Sequence, residues 1–203
     1  MKRILINIGR QFGSGGRAVA LALEKKLGIP VYDNELITKA AEESGFSRDL
    51  FARSDERRSL FSISSFFASG RYVISGNHLN DNDLFRIQGD VIRKIAEQGS
   101  AIFIGRCSDY ILRDLDCLDV FITAPEELRI RRVAEREKIS EEEAARLVRI
   151  KDRTRETYYN FFTFGNWGVA SNYDLCIDSS LLGIEATADL VISVLDAKRS
   201  DHE

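Results

Sequence analysis

The chain has 203 residues, of which 44% are hydrophobic and 30% charged, and its formal net charge is −3. This composition is typical of a globular protein and excludes a disordered, collagen-like or coiled-coil chain. The balanced charge gives no reason to expect nucleic acid as a partner. No apolar run approaches the ~20 residues of a membrane span. We therefore expect one domain over residues 1–203, with no nucleic-acid and no membrane partner.

The cysteines and the chain start predict a cytoplasmic protein. Cys107, Cys117 and Cys176 form no CxxC pair and no even framework, which is typical of a reducing compartment. The start lacks the long apolar region of a signal peptide, so we expect no cleaved leader. With two histidines in the chain, a histidine-based reaction or metal site is not expected.

Apolar runs and amphipathic stretches alternate along the chain and predict strands and helices in turn. Predicted strands cover residues 4–8, 31–32, 101–104, 120–123 and 175–177. Predicted helices cover residues 17–27, 34–44, 84–98 and 184–195, with two more starting near residues 123 and 140; residues 45–82 are predicted to be irregular. This alternation predicts an α/β fold, in which a parallel sheet has helices on both faces.

Two of these helices have capping signals at their starts. Thr123 and Glu126 have the spacing of a capping box, with Pro125 in the first turn, where its missing N–H costs nothing. Ser140 and Glu143 repeat that spacing and open a helix predicted to run to about residue 158. Ligands of parallel sheets bind at the carboxyl ends of the strands, so the residues after each strand are candidate site residues.

A glycine-rich segment, residues 9–17 (here the glycine loop), follows the first strand and precedes a helix. Gly13, Gly15 and Gly16, with Ser14 among them, let the backbone N–H groups approach an anion closely. The helix N-terminus adds partial positive charge. This arrangement predicts a phosphate cradle; the alternative is a tight turn with no ligand.

The glycine loop departs from the Walker A pattern G-x-x-x-x-G-K-[ST]. Arg10 takes the first glycine position, Gly16 the lysine position and Arg17 the serine/threonine position. We expect Arg17 to supply the missing cation, with Arg10 as a second. Ser14 has the only hydroxyl of the loop and is the candidate ligand for Mg²⁺, with water and acidic residues as the alternative.

Five further motifs resemble those of one known family of proteins. They are Leu27-Gly-Ile-Pro-Val-Tyr-Asp33, Ala101-Ile-Phe-Ile-Gly105-Arg106, Val120-Phe-Ile-Thr-Ala-Pro-Glu126, Ile150-Lys-Asp-Arg153 and Asp174-Leu-Cys-Ile-Asp178-Ser-Ser180. In this order and spacing, the chain resembles the cytidylate-kinase-like group of the P-loop nucleoside-monophosphate kinases. The resemblance implies a three-layer P-loop NTPase fold with a monophosphate-binding insertion over about residues 34–98 and a helical lid over about residues 129–160.

The resemblance implies an ATP- and Mg²⁺-dependent phosphotransferase whose partners are small nucleotides. The glycine loop would hold the phosphates of ATP, and a loop at residues 178–182, starting with Asp178 and Ser179, would flank adenine. Arg106 and Asp33 would bind the phosphorylated acceptor. The alternative roles are a structural salt bridge for Arg106, and a helix cap or salt bridge for Asp33 and for Asp109, a weaker acidic candidate.

Basic residues in the region resembling the lid are candidates to stabilise the transferring phosphoryl group. We select Arg132, Arg149 and Arg153, the last two of which share a helix face. Most arginines here alternate with glutamates, so the alternative is a solvated helix face with ion pairs four residues apart.

The chain also departs from the family pattern at the acceptor side. Cys107 stands where the family has Asp, and Thr157 and Asn160 stand where it has an Asp and an Arg that contact cytidine monophosphate. We expect a weak preference for cytidine monophosphate. Two other hypotheses remain open: a kinase for a different small metabolite, and a nucleotide-binding regulatory protein with little turnover.

The sequence leaves the roles of two segments open. The aromatic run at residues 158–167 can stack a base, pack in the core or form a subunit contact, and residues 62–67 lie where the family binds the acceptor base. A homodimer is therefore left open. The three cysteines are interpreted as small buried hydrophobic residues.

Overall fold

The computed structural model of the protein describes residues 3–43 and 81–200. The strands are β1 (Leu5–Arg10), β2 (Val31–Tyr32), β3 (Ala101–Ile104), β4 (Leu118–Thr123) and β5 (Leu175–Asp178). The α-helices are α1 (Gly16–Leu27), α2 (Asn34–Glu43), α3 (Asp81–Gln98), α4 (Ser108–Ile111), α5 (Glu126–Glu137), α6 (Glu141–Thr163) and α7 (Ser179–Ser200).

The strands form one parallel sheet in the order β2-β3-β1-β4-β5. The central strand β1 pairs with β3 on one side, where Ile8 aligns with Ile104, and with β4 on the other, where Ile8 aligns with Val120. The direction of winding reverses at β1, which places the ligand-binding crevice of such a sheet at the carboxyl end of β1. The predicted parallel sheet is confirmed.

Two apolar layers cover the sheet, one on each face. Ile6 and Ile8 lie in a buried cluster with residues of α1 and α7, including Val19 and Val191. Leu5 lies in a second cluster with residues of α2, α3 and α4. Successive side chains of a strand point to opposite faces, so β1 contributes to both layers.

Helices α5 and α6 form a hairpin with a smaller core of its own. Val133 of α5 and Ala144 and Val148 of α6 are buried there, and Phe12 of the glycine loop packs against them. This hairpin corresponds to the predicted lid region, and it is in contact with the glycine loop.

One of the two predicted capping boxes is wrong. Helix α5 has Pro125 as its N-cap and no side-chain cap, because the hydroxyl of Thr123 donates a hydrogen bond to Oε1 of Gln11 instead. The box at Ser140 is confirmed: its Oγ accepts from the Glu143 N–H at 3.2 Å, and the Glu143 carboxylate accepts from the Ser140 N–H at 3.0 Å.

Other predicted boundaries also change. Helix α6 continues to Thr163, so the aromatic run begins inside it. Residues 179–182, expected as a loop, are helical and are followed by a break at Gly183, where φ is 75° and ψ 175°. Of the predicted irregular stretch, Asp81 and Asn82 begin α3; the rest, including residues 62–67, lies outside the described residues. No helix within residues 3–43 and 81–200 is long and apolar enough to cross a membrane.

Candidate active site

The glycine loop passes closely between α5 and α7, and two of its glycines are required there. Gly13 and Gly15 have φ values of 80° and 84°, which side chains other than glycine rarely adopt. A Cβ on Gly13 would lie 2.8 Å from the carbonyl oxygen of Arg129, and one on Gly15 would lie 2.6 Å from Cδ1 of Ile184. A side chain would be strained by the backbone at both positions, and at Gly13 it would also collide with the backbone of α5.

Three predicted site residues meet beside this loop. The Oγ of Ser179 donates to the carbonyl oxygen of Ser14 at 2.5 Å, and Nη1 of Arg132 donates to the same Ser179 Oγ at 3.2 Å. Ser14 is fully buried, and its Oγ has no hydrogen-bond partner in the described part of the chain. Arg132 and Ser179 therefore line the loop predicted to hold phosphates. Asp178, beside them, accepts from the N–H of Ser180 at 2.8 Å.

Arg10 extends from the glycine loop to the end of β3. A Cβ on Gly105 would collide with Nη1 of Arg10 and lie 3.0 Å from its Cζ. Burial lowers the pKa of Arg10, and so do the nearby charges of Arg155 and Arg106, while Asp33 opposes them. Nη1 of Arg155 donates to the carbonyl oxygen of Arg10 at 2.9 Å. Three arginines thus meet where β1 and β3 end.

A left-handed turn places Arg106 at this edge. Gly105, Arg106 and Cys107 have φ values of 68°, 61° and 55°. Two of them carry side chains, which costs roughly 1–2 kcal/mol each, and such strain is concentrated at functional sites. The Nε of Arg106 is buried with no hydrogen-bond partner, and Arg106 forms no ion pair with any described residue. The alternative of a structural salt bridge is therefore not seen there.

An aromatic cluster lies beside Arg106, between α3 and α6. The Arg106 guanidinium carbon lies 5.1 Å from the ring centre of Tyr158, and Phe85 stacks on Phe162 at 4.2 Å. The hydroxyl of Tyr158 donates to Oε1 of Gln88 at 3.1 Å, while the buried Nε2 of Gln88 has no partner in the described structure. This part of the aromatic run packs within the chain.

Two aromatic residues of the run remain at the surface. Phe161 is 61% exposed and Phe164 is 91% exposed. A subunit contact at these two side chains stays a prediction.

Asp33 and Arg17 form an ion pair at the rim of the site. Oδ2 of Asp33 accepts from Nη2 of Arg17 at 3.0 Å, and Oδ1 accepts from the N–H groups of Glu35 and Leu36 at the start of α2. Both alternative roles of Asp33, helix cap and salt bridge, are thus present. The Arg17 side chain is 69% exposed.

The other selected arginines lie at the surface. Arg149 forms an ion pair of 3.1 Å with Glu126 and its side chain is 73% exposed, and Arg153 is also exposed. Arg155, which donates to the Arg10 carbonyl in the glycine loop, was not among the predicted site residues. The signal was available: residue 155 follows the buried Val148 by seven positions, so it shares the face of α6 that packs inward.

The surroundings of Asp109 and of the three cysteines can be compared with their predicted roles. Asp109 accepts from the Tyr159 hydroxyl at 2.7 Å, and burial raises the pKa of its carboxyl. Burial also raises the pKa of the Cys107 thiol, as expected for a small buried hydrophobic residue. Cys117 is likewise buried, but Cys176 is exposed, so the interpretation is wrong for that residue.

The candidate ligands for Mg²⁺ are Ser14 and nearby acidic residues. This ion prefers oxygen ligands in octahedral geometry, commonly one or two carboxylates with substrate phosphates and water. The Oγ of Ser14 is buried with no hydrogen-bond partner among the described residues, and the carboxylate oxygens of Asp33 accept hydrogen bonds from Arg17 and from the start of α2. Within residues 3–43 and 81–200, no group of three His, Cys, Asp or Glu side chains could hold a metal. The assignment of Ser14 as a ligand for Mg²⁺ therefore stays a prediction.

The strand order, the glycine loop between β1 and α1 and the arginines at the carboxyl edge define an α/β protein of the P-loop class. Comparison with known families identifies it more closely. The model of the cytidylate kinase-like family matches residues 5–181, and the chain belongs to this family.

Individual relatives agree with this assignment. A cytidylate kinase of Methanopyrus kandleri is 27% identical over 203 aligned residues, covering 95% of this chain and 93% of the relative. A solved structure of an uncharacterized protein from Eubacterium ventriosum has a TM-score of 0.74 and 29% identity, covering 96% of this chain and 99% of that one.

A more distant structure supports the fold alone. Shikimate kinase from Bacteroides thetaiotaomicron has a TM-score of 0.56 and 13% identity, covering 95% of this chain and 98% of that one. The family and its curated relatives support a kinase.

Proposed function

We propose that this protein transfers the terminal phosphoryl group of ATP to a phosphorylated small acceptor of the nucleoside-monophosphate type. The observation that carries the proposal is the meeting of Arg10, Arg106 and Arg155 at the carboxyl edge, beside a loop built to approach an anion. Phosphoryl transfer requires two phosphorylated groups held in line, with positive charge around the transferring group.

The glycine loop is the proposed ATP site. Backbone N–H groups of Gly13, Ser14, Gly15 and Gly16 would bind its phosphates at the N-terminus of α1. Arg17, in the first turn of α1, is exposed and can exchange its contact with Asp33 for a phosphate oxygen.

The adenine side of this site is proposed beside the first turn of α7. Asp178 ends β5, Ser179 begins α7, and the exposed Leu181 (80%) supplies apolar surface for a base. Arg132, bonded to Ser179, would reach the phosphates.

Arg106 is the proposed acceptor-phosphate ligand. Its Nε is unpaired among the described residues, and a guanidinium binds a phosphate with two parallel hydrogen bonds. Tyr158 and Gln88 lie next to it, and the unpaired Nε2 of Gln88 is a hydrogen-bond donor suited to an acceptor atom of the substrate. Asp33 is proposed to border this site from β2.

The hairpin of α5 and α6 is proposed to act as the lid over about residues 129–160, and residues 34–98 as the acceptor-binding region. Arg132 is already bonded to Ser179, whose hydroxyl donates to the Ser14 carbonyl of the glycine loop. Arg149 and Arg153 are surface cations of α6 and would approach the phosphates only on closure of the hairpin.

Selectivity for cytidine monophosphate is proposed to be weak. The Oδ1 of Asn160 accepts from the N–H of Trp167 at 2.8 Å, which ties the side chain to the turn after α6, and Thr157 is exposed. Neither residue supplies the acidic and basic contacts of the cytidine-specific pattern. The hypothesis of a different metabolite as acceptor therefore stays open beside the nucleoside monophosphates.

The hypothesis of a regulatory nucleotide-binding protein draws on the glycine loop, which has no lysine between Gly9 and Arg17. One assay separates all three hypotheses. The protein is incubated with ATP, Mg²⁺ and, separately, cytidine, uridine and adenosine monophosphates and a set of non-nucleotide phosphorylated and hydroxylated metabolites. A nucleoside diphosphate formed from the added monophosphate, distinguished from the ADP that ATP itself leaves, supports the proposal. Product from a non-nucleotide acceptor alone supports the second hypothesis, and ATP binding without product supports the third.

A further inference from the structure

We propose that Arg10 does the work of the P-loop lysine, and that residue 16 is glycine because the Arg10 side chain occupies the space a lysine there would need. The inference rests on the proposed function, since it assigns a charge at the ATP phosphates. It makes Arg10 a catalytic residue.

The sequence exchanges two residues across the glycine loop. In the pattern G-x-x-x-x-G-K, the first position takes glycine and the last takes lysine. Here the first position is Arg10 and the last is Gly16, while Gly15 is retained between them. The loop therefore keeps one glycine and one cation at this pair of positions, with their places reversed.

The structure shows why the exchange is coupled. A Cβ on Gly16 would lie 2.6 Å from Cβ of Arg10 and 3.0 Å from its Cγ. Contacts that short do not occur between real side chains, so a side chain at residue 16 and the present Arg10 exclude each other. Arg10 thus crosses the first turn of α1, and its guanidinium ends against Gly105, 3.0 Å (Cζ) from a Cβ there.

The Arg10 guanidinium therefore lies against Gly105, the residue before Arg106, at the edge of the sheet that the proposed ATP loop borders. Gly105 has a φ of 68°, and its lack of a side chain leaves room for Arg10. A cation in this place borders both the donor and the acceptor phosphates, which is where the charge of the transferring group develops.

The surroundings of Arg10 favour an anion. Burial and the charges of Arg155 and Arg106 lower its pKa, yet an arginine does not give up its proton in a protein. The positive charges therefore remain close together, and a bound phosphate would offset their repulsion. Arg17 differs, since it is exposed and already paired with Asp33.

The proposed reaction is a single phosphoryl transfer in which Arg10 acts only through hydrogen bonds. An oxygen of the acceptor phosphate forms a new bond to the γ-phosphorus of ATP, while the bond from that phosphorus to the bridging oxygen breaks and its electron pair leaves with ADP. Arg10 donates hydrogen bonds to the equatorial oxygens of the transferring group and keeps its protons throughout. Its planar guanidinium can bind two of those oxygens at once.

The test reverses the exchange of glycine and cation at residues 10 and 16. Arg10→Gly, Gly16→Lys and the double variant are compared with wild type by kcat and, without acceptor, by the calorimetric Kd of ATP. Arg113→Ala, which removes an exposed arginine bonded to the Tyr110 carbonyl, is the control. We expect each single variant to lose about 100-fold in kcat. Gly16→Lys fails because its side chain and Arg10 compete for one space.

The double variant restores the pattern G-x-x-x-x-G-K and should recover at least about tenfold over either single variant. Wild-type kcat in Arg10→Gly, or a double variant no better than the worse single one, would overturn the inference. Arg10→Met keeps the aliphatic stem and removes the charge, so it replaces Arg10→Gly if that variant does not fold.

Product formation by wild type tests the proposed function, whereas the ATP affinities of the variants test the role of Arg10. If wild type forms no product with any acceptor, the proposed function fails. The ATP affinities of the same variants then still test the role of Arg10. A weakened Kd for ATP in the single variants that the double variant recovers supports the role, and an unchanged Kd in Arg10→Met overturns it.

Discussion

Nη1 of Arg129 lies 2.6 Å from Oδ2 of Asp152, and both side chains also bind the backbone of Phe12 in the glycine loop. Oδ1 of Asp152 accepts from the Phe12 N–H at 2.7 Å, and Nη1 of Arg129 donates to the Phe12 carbonyl at 3.2 Å. Nε of Arg129 donates to the Ala124 carbonyl at 2.9 Å. One ion pair thus joins the end of β4, the glycine loop and the α5–α6 hairpin.

Asp152→Ala should therefore destabilise the fold strongly. The two side chains are only 8% and 17% exposed, so the variant leaves an uncompensated guanidinium in a buried place. The expected loss is about 3–5 kcal/mol of unfolding free energy, measured by urea titration. Glu142→Ala breaks the exposed pair with Arg146 and should cost less than about 1 kcal/mol. Equal losses in the two variants would contradict this account of the pair.

Arg106→Ala should separate the acceptor from ATP. Because Arg106 lies at the end of β3, with Tyr158 beside it, its loss removes the proposed acceptor-phosphate ligand and leaves the glycine loop intact. We expect KM for a nucleoside monophosphate to rise at least about tenfold, and KM for ATP to change much less. Arg113→Ala is the matched control. Equal increases in the two KM values would place Arg106 elsewhere in the mechanism.

Two arginines of the α5–α6 hairpin should differ in how much their loss lowers kcat. Arg132 is bonded to Ser179 at the glycine loop, whereas Arg149 is an exposed partner of Glu126. Arg132→Ala should lower kcat about 100-fold, as for the loss of one preorganised donor. Arg149→Ala should lower it by a smaller factor, because its contribution depends on closure of the hairpin. Steady-state kcat of both variants, at saturating ATP and acceptor, tests the order, and the reverse order would contradict it.

Much of the fold could be predicted because buried parallel strands are continuous apolar runs. The run ending at Ile104 was assigned with its observed bounds. The capping box at Ser140 was also predictable, since all its partners lie within four residues. The box at Thr123 failed because the Thr123 hydroxyl binds Gln11, which is 112 residues away.

The site was less predictable for the same reason. The glycine loop could be identified from local spacing, but the contact of Arg155 with Arg10 spans 145 residues. The collision between a residue-16 side chain and Arg10 depends on the path of a side chain over a helix turn, which no periodicity encodes.

Asp119 should make stability depend on pH. Burial raises the pKa of its carboxyl to about 6, helped by Asp109 and Asp174 and opposed by the hydrogen bond from Asn7 and by Lys198. The folded protein keeps this proton up to about pH 6, while the unfolded chain loses it near pH 4. The folded state then binds more protons between these values, so this group makes stability fall as pH rises through that window.

Asp119→Asn removes this dependence. The substituted amide keeps an oxygen for the Asn7 Nδ2 donor, which lies 2.7 Å from Oδ1. Relative to wild type, the variant should gain on the order of 2 kcal/mol of unfolding free energy between pH 4 and pH 7. Urea titrations of both proteins across that range measure the change. A constant difference between them would show that the Asp119 carboxyl does not titrate as described.

In the proposed function, one site holds two phosphorylated groups end to end, with ATP on the glycine loop and the acceptor on Arg106. A linked nucleotide tests it most directly: adenosine joined through five phosphates to cytidine, uridine or adenosine, with its Kd measured by calorimetry against that of ATP. We expect at least one linked nucleotide to bind about 100-fold more tightly than ATP, because the second contact becomes intramolecular. We also expect Arg106→Ala to remove most of that gain. Linked nucleotides that all bind no more tightly than ATP would contradict the claim.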